Sequence, residues 1–476
     1  MSRLRRLSGN FAATVGGHFA EACLTLVVLG VSARYLKPEL FGVLASASAF
    51  VQTFYFLADV GLARLLVREM ARDQAKASQF LGAAIVTRFF LILLIVPTMA
   101  LATFAMGSSR QTMSAIAIVT VWMILRLVST AYGAVFQAFE RMEVDSGLNI
   151  LGVVARLGFT VGAIRLNGGL SGVLWAMVAG QALYLAGAAW VSHRHYVRPT
   201  FERDRKLWKM MLWEGFPIGV SGFFSTAYHQ IDTLVLAAFR TEAEVGLLNG
   251  GYRIIHQLMY LPILFMRAPF PLISRLHRSA PETMPRLTNQ MFKLSLMVGL
   301  PIGAALAVLA EPITALVLGK DFLQAAYVLR YYSWSVAVMF PAASAAVLLI
   351  AMDRQRMMPK LLLLTVGLNT ALDLILVPRM GGPGACLATF VATAVMAVVL
   401  VRAVYREFRP ASLLRIPVEP VLATCGLVGL LYLLRDRELP AVIAAGSAAY
   451  AVLAVILVRV FSWEELKRLR DSVRST

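Results

Sequence analysis

Stretches of about twenty apolar residues recur along this chain from end to end, separated by short polar or charged connections. An α-helix rises about 1.5 Å per residue, so about twenty residues cross a hydrocarbon layer of roughly 30 Å. Inside that layer each backbone N–H and C=O must be paired within the protein, which leaves helices or closed barrels. No stretch alternates apolar and polar residues at period two, so a membrane β-barrel is excluded. The pattern predicts an all-α polytopic membrane protein with about fourteen transmembrane helices, near 10–34, 41–66, 79–105, 112–138, 146–166, 171–192, 213–239, 246–273, 288–310, 325–351, 359–378, 383–404, 417–434 and 439–461. With 59% hydrophobic and only 15% charged residues over 476 positions, the composition excludes an ordinary soluble domain.

The formal net charge is +19, and its placement matters more than its size. Basic residues crowd into alternate connections: the N-terminus (Arg3, Arg5, Arg6), the second loop (Arg68, Arg72, Lys76) and the sixth (Arg194, Arg198, Arg203, Arg205, Lys206, Lys209). The eighth, tenth and twelfth loops and the tail continue the series with Arg275, Arg278, Arg286, Arg354, Arg356, Lys360, Arg406, Arg409, Arg415, Lys467, Arg468, Arg470 and Arg474. The odd-numbered loops are poor in Lys and Arg. The positive-inside rule then places both termini in the cytoplasm, in agreement with an even number of spans. No basic surface is contiguous, so nucleic acid is not an expected partner. Cys23, Cys386 and Cys425 fall inside spans at unrelated spacings and read as small packing residues. No cofactor or metal site is expected. The first span carries His18 and Glu21 and is too long for a cleaved signal, so it reads as a retained helix.

An internal repeat organises the chain. A shift of about 204 residues lays "ARYLKPELFGVLASASAF" (33–50) over "AAFRTEAEVGLLNGGYRI" (237–254), so that Gly42 meets Gly246. Further on, "QAFERMEV" (137–144) matches "IAMDRQRM" (350–357), and "NGGLSGVLWAM" (167–177) matches "RMGGPGACLAT" (379–389). Six spans per repeat is an even number, so both copies keep one orientation and a pseudo-two-fold along the membrane normal relates two six-helix lobes. The expected organisation is an N-lobe over 1–193, a basic linker over 194–212, a C-lobe over 213–405, two extra helices within 406–463 and a tail over 464–476. Within the linker, Phe201 to Leu212 reads either as an amphipathic helix on the inner leaflet or as a solvated loop.

Polar side chains follow helical spacing on four spans. The first carries His18 and Glu21; the second Ser48, Gln52, Tyr55 and Asp59; the seventh Ser225, Tyr228, His229 and Asp232; the eighth Asn249, Arg253, His256, Gln257, Tyr260 and Arg267. The third, sixth, thirteenth and fourteenth show no comparable stripe. A charge at mid-bilayer costs roughly 2.5 to 3.5 kcal/mol on the insertion scale, so several on one face imply a wet cavity or paired interior. The candidate lining is His18, Glu21, Gln52, Asp59, Ser225, His256, Gln257 and Tyr260. Arg253, Arg267, Arg126, Arg156 and Arg330 are candidates for binding a phosphate-bearing anion, because a guanidinium fork matches phosphate oxygens and stays charged when desolvated. His229, Asp232 and Asp373 are candidates for coupling to a proton or Na⁺. Packing accounts stand beside these: Arg126 and Arg330 as partners of a carboxylate, and Asp59 as a cap or partner of Arg64, five residues on.

"ARYLKPELFGVLASASAFVQTFYFLADVGL" (33–62), "IDTLVLAAFRTEAEVGLLNGGYRI" (231–254), "PFPLISRL" (269–276), "LGKDFLQAAYVLR" (318–330) and "LNTALDLILVPRMGGPGACLAT" (368–389) resemble, in this order, polysaccharide transporters. These belong to the multidrug/oligosaccharidyl-lipid/polysaccharide exporter superfamily. The resemblance implies a transporter, not an enzyme, in the bacterial inner membrane. Its substrate would be undecaprenyl-diphosphate-linked oligosaccharide, flipped from inner to outer leaflet by alternating access for O-antigen, capsule or exopolysaccharide assembly. It also implies a cavity lined by the first, second, seventh and eighth spans, a polyprenyl tail that stays in lipid or against the last two helices, and polymerase or ligase machinery as further partners. Two rivals remain: a multidrug cation antiporter of the same superfamily, which would want an acidic cavity, and a membrane glycan polymerase or ligase, which would want a long outer loop.

Overall fold

The computed structural model describes residues 2–201, 204–259, 261–267, 269–408, 417–435 and 437–457, and every regular element among them is helical. In chain order these are α1 (Ser2–Asp59), α2 (Leu62–Arg72), α3 (Ala77–Ala105), α4 (Arg110–Ala138), α5 (Met142–Arg165) and α6 (Gly169–His195). There follow α7 (Arg205–Phe239), α8 (Glu242–Leu258), α9 (Leu261–Arg267), α10 (Phe270–Ser279), α11 (Met284–Val308) and α12 (Ala310–Val317). The chain continues with α13 (Ala326–Ala351), α14 (Met357–Met380), α15 (Gly382–Phe408), α16 (Val418–Leu433) and α17 (Leu439–Leu457). Nine segments among the described residues are long and apolar enough to cross a membrane, and α16 and α17 are shorter apolar helices.

Several expected boundaries shift for local reasons. The first two expected spans run together in α1, which kinks at Lys37 (φ 56°) just before Pro38. A residue preceding proline is pushed out of the right-handed helical region, so the bend falls there without a separate loop. The second span stops at Asp59, short of the expected residue 66, because Val60 and Gly61 adopt left-handed φ values of 46° and 74° and start α2 in a new direction. The single eighth span expected over 246–273 is broken into α8, α9 and α10, with Pro262 and Pro269 near the breaks. In the linker, Asp204 caps α7 by accepting from the backbone N–H of Lys206 (2.8 Å) and Leu207 (3.2 Å). The basic residues from Arg205 onward therefore form the first turns of a helix continuous with the seventh span, and Phe201 lies outside it.

The repeat is visible in the backbone. Left-handed residues recur about 212 positions apart at Gly107 and Gly319, Glu140 and Asp353, and Gly169 and Gly381. The second and third quoted pairs of segments thus make the same turns, and α3 to α6 correspond in order to α11, α13, α14 and α15. Short amphipathic helices, α2 and α10, precede α3 and α11. Gly42 and Gly246 face one another's helix: a Cβ on Gly42 would overlap the Glu242 carbonyl oxygen, and one on Gly246 the Pro38 carbonyl oxygen. Pro38 and Glu242 are themselves repeat-related, so this is a reciprocal crossing that only glycine permits.

Contacts gather the chain into two compact units. The first holds the chain up to Gly250 with Val317–Phe322 and Val377–Gly382; the second holds Gly251–Leu316, Leu323–Leu376 and the chain from Pro383. The first unit's core joins Leu65, Leu66 and Met70 of α2 to Leu81 of α3, Val135 and Phe136 of α4 and Ala188 of α6. The second unit has its own core, including Ile273 of α10, Phe292 of α11, Leu348 and Leu349 of α13 and Val404 of α15. In lipid such packing gains dispersion contact and not water release, which favours close helix approach at small residues. Helices α16 and α17 dock on α11 through Leu427, Leu431 and Val442 against Leu309. An ion pair between Lys293 and Glu419, and a hydrogen bond from the Tyr450 hydroxyl to the Met297 carbonyl (2.6 Å), fix them there.

Candidate functional site

The first unit contains a polar cavity of about 340 Å³ between α2, α4, α5 and α6. Arg64 comes from α2, Arg126, Ser129, Thr130 and Gln137 from α4, Asp145 and Asn149 from α5, and Gln181 and Tyr184 from α6. The Tyr184 hydroxyl donates to Asp145 Oδ1 at 2.6 Å, and Asn149 Nδ2 donates to the same oxygen at 3.3 Å and to the Asp145 carbonyl at 3.0 Å. Gln181 Nε2 donates to Ser129 Oγ at 2.9 Å. Spacings of four residues on α5 and three on α6 put each polar pair on one helix face. Gly133 keeps the floor open: a Cβ there would sit 3.3 Å from the Tyr184 hydroxyl and 3.5 Å from Asp145 Oδ1. Arg64 and Arg126 are both exposed. Arg126 stacks its guanidinium over Trp122 at 5.2 Å, an aromatic contact in place of the carboxylate pairing that sequence allowed. The site therefore sets two cationic forks beside hydrogen-bonding groups already held by their neighbours.

Among the described residues of the first unit, the most buried ion pair joins α3 to the end of α1. Arg88 of α3 is fully buried, pairs with Asp59 at the end of α1, and donates from Nη1 to the Leu127 carbonyl of α4 at 2.6 Å. Asp59 Oδ2 also accepts from the Ala63 N–H at 3.4 Å, across the turn into α2. The expected partner Arg64 is replaced by Arg88, because the left-handed turn at Val60 and Gly61 redirects the helix that carries Arg64. The third and sixth spans, which show no stripe in sequence, thus supply Arg88, Gln181 and Tyr184.

A second opening of about 920 Å³ in the first unit has the opposite character. Glu39, Glu242, Ser46, Ser108, Ser109, Gln111, Thr112 and Thr241 give it a polar rim without Lys or Arg, and Leu40, Val43, Phe50, Ile116 and Leu234 give it an apolar wall. Glu242 is held by the Ser46 hydroxyl at 2.8 Å.

The remaining expected residues are distributed as follows. Within the first unit, Gln52 accepts from Gln230 at 3.5 Å, Glu21 is half-buried, and Arg156 is half-buried on α5 against Gly180. His229 is exposed with its ring near Tyr228, whereas Asp232, three residues on, is buried beside Thr233, whose hydroxyl accepts from Asn249 at 3.1 Å. Within the second unit, Arg253 is half-buried, His256 sits near the rings of Tyr252 and Tyr332, and Gln257 is half-buried. Asp373 is fully buried and accepts from Asn369 Nδ2 at 2.8 Å. Arg330 is exposed and pairs with Glu311 at 2.9 Å. Tyr260 and the side chains of His18, Ser225 and Arg267 lie outside the described residues. Among the described residues no group of three or more His, Cys, Asp and Glu side chains is placed to hold a metal ion.

Helix order, repeated turns and the broken eighth span define a transporter fold of the multidrug/oligosaccharidyl-lipid/polysaccharide type. A lipid II flippase MurJ structure in an inward closed conformation superposes with a TM-score of 0.76 at 15% identity, covering 94% of this chain and 98% of that one. An inward-facing multidrug transporter of the MATE family superposes with a TM-score of 0.61 at 16% identity, covering 85% of this chain and 97% of that one. The chain belongs to the polysaccharide biosynthesis protein family, whose model matches residues 7–277. A curated relative, the probable low-salt glycan biosynthesis flippase Agl15 of Haloferax volcanii, is 22% identical over 381 residues, 78% of each chain.

Proposed function

We propose that this protein is a flippase for lipid-linked oligosaccharide, and that the cavity between α2, α4, α5 and α6 holds the diphosphate and the adjoining sugar. One observation carries this reading: Arg64 and Arg126 open onto the same cavity as Asp145, Asn149, Gln181 and Tyr184. Two guanidinium forks suit a diphosphate, while carboxylate and carboxamide groups suit sugar hydroxyls. The match to a polysaccharide biosynthesis family and the likeness to a glycan flippase support the same substrate class. The fold is shared with multidrug transporters, but a cavity with two exposed arginines repels the cations such transporters carry.

The substrate is undecaprenyl diphosphate bearing an oligosaccharide. It is taken from the inner leaflet of the bacterial cytoplasmic membrane, with both chain termini cytoplasmic, an orientation that the loop charges support. Rocking of the N-lobe (1–193) and C-lobe (213–405) turns the opening outward, the polyprenyl tail stays in lipid or beside the helices of 406–463, and the product passes to polymerase or ligase machinery outside. The rim at Glu39 and Glu242, which carries no Lys or Arg, disfavours the diphosphate once it has crossed, which favours release. Two negative charges moving outward across an inside-negative membrane gain roughly 2.3 kcal/mol per charge per 100 mV, so a coupling ion is not required for direction. His229, Asp232 and Asp373, with Arg253, Arg156 and the other polar residues of the expected lining, remain the candidates for ion or substrate contacts elsewhere on the path.

Binding tests this assignment. Native mass spectrometry of the purified protein with a short-chain polyprenyl diphosphate disaccharide is expected to show a one-to-one complex that Arg64→Gln with Arg126→Gln weakens at least about tenfold, a loss of about 1.4 kcal/mol. Equal binding by the double variant would remove the diphosphate from this cavity.

A further inference from the structure

Helices α2 and α10 occupy equivalent places in the repeat, yet their basic residues are treated differently. Both are amphipathic and anchored by a buried apolar face: Leu62, Leu65, Leu66 and Met70 on α2, and Ile273 with Leu276 on α10. On α2, Arg64 opens onto the first-unit cavity and the other two arginines are neutralised. Arg68 pairs with Glu69 and Glu214, and Arg72 pairs with Glu69 at 3.3 Å. On α10, Arg275 and Arg278 are exposed, and among the described residues no carboxylate pairs with either. They are three residues apart and share a helix face. With Ser274, Ser279 and Phe270 they line a shallow pocket of about 530 Å³ on the second unit. Ser279 is held by its hydrogen bond to the Arg275 carbonyl at 3.1 Å, and the adjacent His277 ring lies 6.1 Å from that of Phe408. The two guanidinium groups are thus carried on a helix fixed by its neighbours, with hydroxyls to either side and an exposed phenyl ring at the start of the helix.

We propose that this pocket binds the headgroup of an anionic phospholipid of the inner leaflet. The phosphodiester sits between Arg275 and Arg278, Ser274 donates to a headgroup oxygen, and Phe270 lies against the upper acyl chain. Charge complementarity selects the lipid: α10 belongs to one of the basic, even-numbered connections, which face the leaflet where anionic lipids meet juxtamembrane arginines. The site differs from the substrate cavity, which lies wholly in the first unit. It is independent of which glycan is carried.

Thermal shift of the full-length protein in a neutral detergent tests it, with phosphatidylglycerol, phosphatidylcholine and inorganic pyrophosphate as separate additions. Phosphatidylglycerol is expected to raise the melting temperature in a salt-sensitive way, and phosphatidylcholine to have little effect. Arg275→Gln with Arg278→Gln should melt like the wild type without lipid and bind phosphatidylglycerol about thirty-fold more weakly. Arg275→Lys with Arg278→Lys should retain most of the shift. Arg68→Gln with Arg72→Gln, which removes as many charges from α2, should retain it as well. An undiminished lipid shift in the Arg275/Arg278 glutamine variant would overturn the proposal. So would an equal, Arg275/Arg278-dependent shift with pyrophosphate, which would make the pocket a site for soluble anions.

Discussion

Replacing Arg88 by methionine leaves Asp59 buried with its principal cation gone. Arg88 is fully buried, it also supplies the 2.6 Å hydrogen bond to the Leu127 carbonyl, and the Asp59 side chain is only 7% exposed, so water cannot readily substitute. Removing one partner of such a pair costs about 3–5 kcal/mol, most of it the penalty for the stranded charge. For a cooperative unit of 150 to 250 residues, about 2–4 °C of melting temperature accompanies each kcal/mol, so Arg88→Met is expected to melt on the order of 10 °C lower. Removing both charges, as in Asp59→Leu with Arg88→Met, should recover most of the loss, because apolar replacement of a whole buried pair is often close to neutral. Fluorescence-detected size-exclusion chromatography after heating reads both variants from crude detergent extracts. If Arg88→Met melts within about 2 °C of wild type, or if the double variant is worse than the single by the full cost of a second break, the pair is not the lock described.

Other consequences are equally direct. Gly42→Ala and Gly246→Ala each force a methyl group into a facing carbonyl oxygen and should cost about 1–3 kcal/mol, whereas Gly147→Ala, with nothing within 4 Å of its Cβ, should be neutral in the same melting assay. Gly133→Leu fills the space above Asp145 and Tyr184 and should abolish substrate binding in native mass spectrometry while the protein still elutes as a single species. Arg330→Gln breaks only an exposed pair with Glu311, so stability should change by less than about 1 kcal/mol and binding by the diphosphate lipid not at all. Tyr450→Phe removes one hydrogen bond to the Met297 carbonyl and should lower stability by about 0.5–1.5 kcal/mol, read as a lower melting temperature.

The all-helical membrane fold and its repeat are legible in the sequence because both rest on local quantities: length of apolar runs, placement of loop charges, and turns that need a left-handed residue. Gly169 and Gly381 mark the same turn in both copies, and the alignment of Gly42 with Gly246 points to a place where two helices cross closely. The cavity of the first unit is less legible. Asp145 and Asn149 are a pair at helical spacing near the start of a span, where polar residues usually mean no more than an interface with water, and Gln181 with Tyr184 is a single pair in the middle of α6, too short to read as a stripe. What makes them a site is that α2, α4, α5 and α6 converge on Gly133, and convergence is a tertiary fact. Proximity in sequence offers Arg64 as a partner for Asp59; the turn at Val60 and Gly61 sends it to the cavity and leaves Asp59 to Arg88, 29 residues on. Stripe counting along single helices also overlooks a lone buried arginine, since one residue has no period.

Translocation in proteoliposomes tests the central claim most directly. A fluorescent polyprenyl diphosphate disaccharide is placed in both leaflets, and the fraction accessible to an external quencher or hydrolase is followed with time after outer-leaflet label is removed. Wild-type protein is expected to return label to the outer leaflet, Arg64→Gln with Arg126→Gln to slow that return at least about tenfold, and a polyprenyl glycoside lacking phosphate to be moved poorly by both. Equal rates for wild type and the double variant, or equal transport of the phosphate-free lipid, would contradict a flippase that grips its substrate by the diphosphate in this cavity.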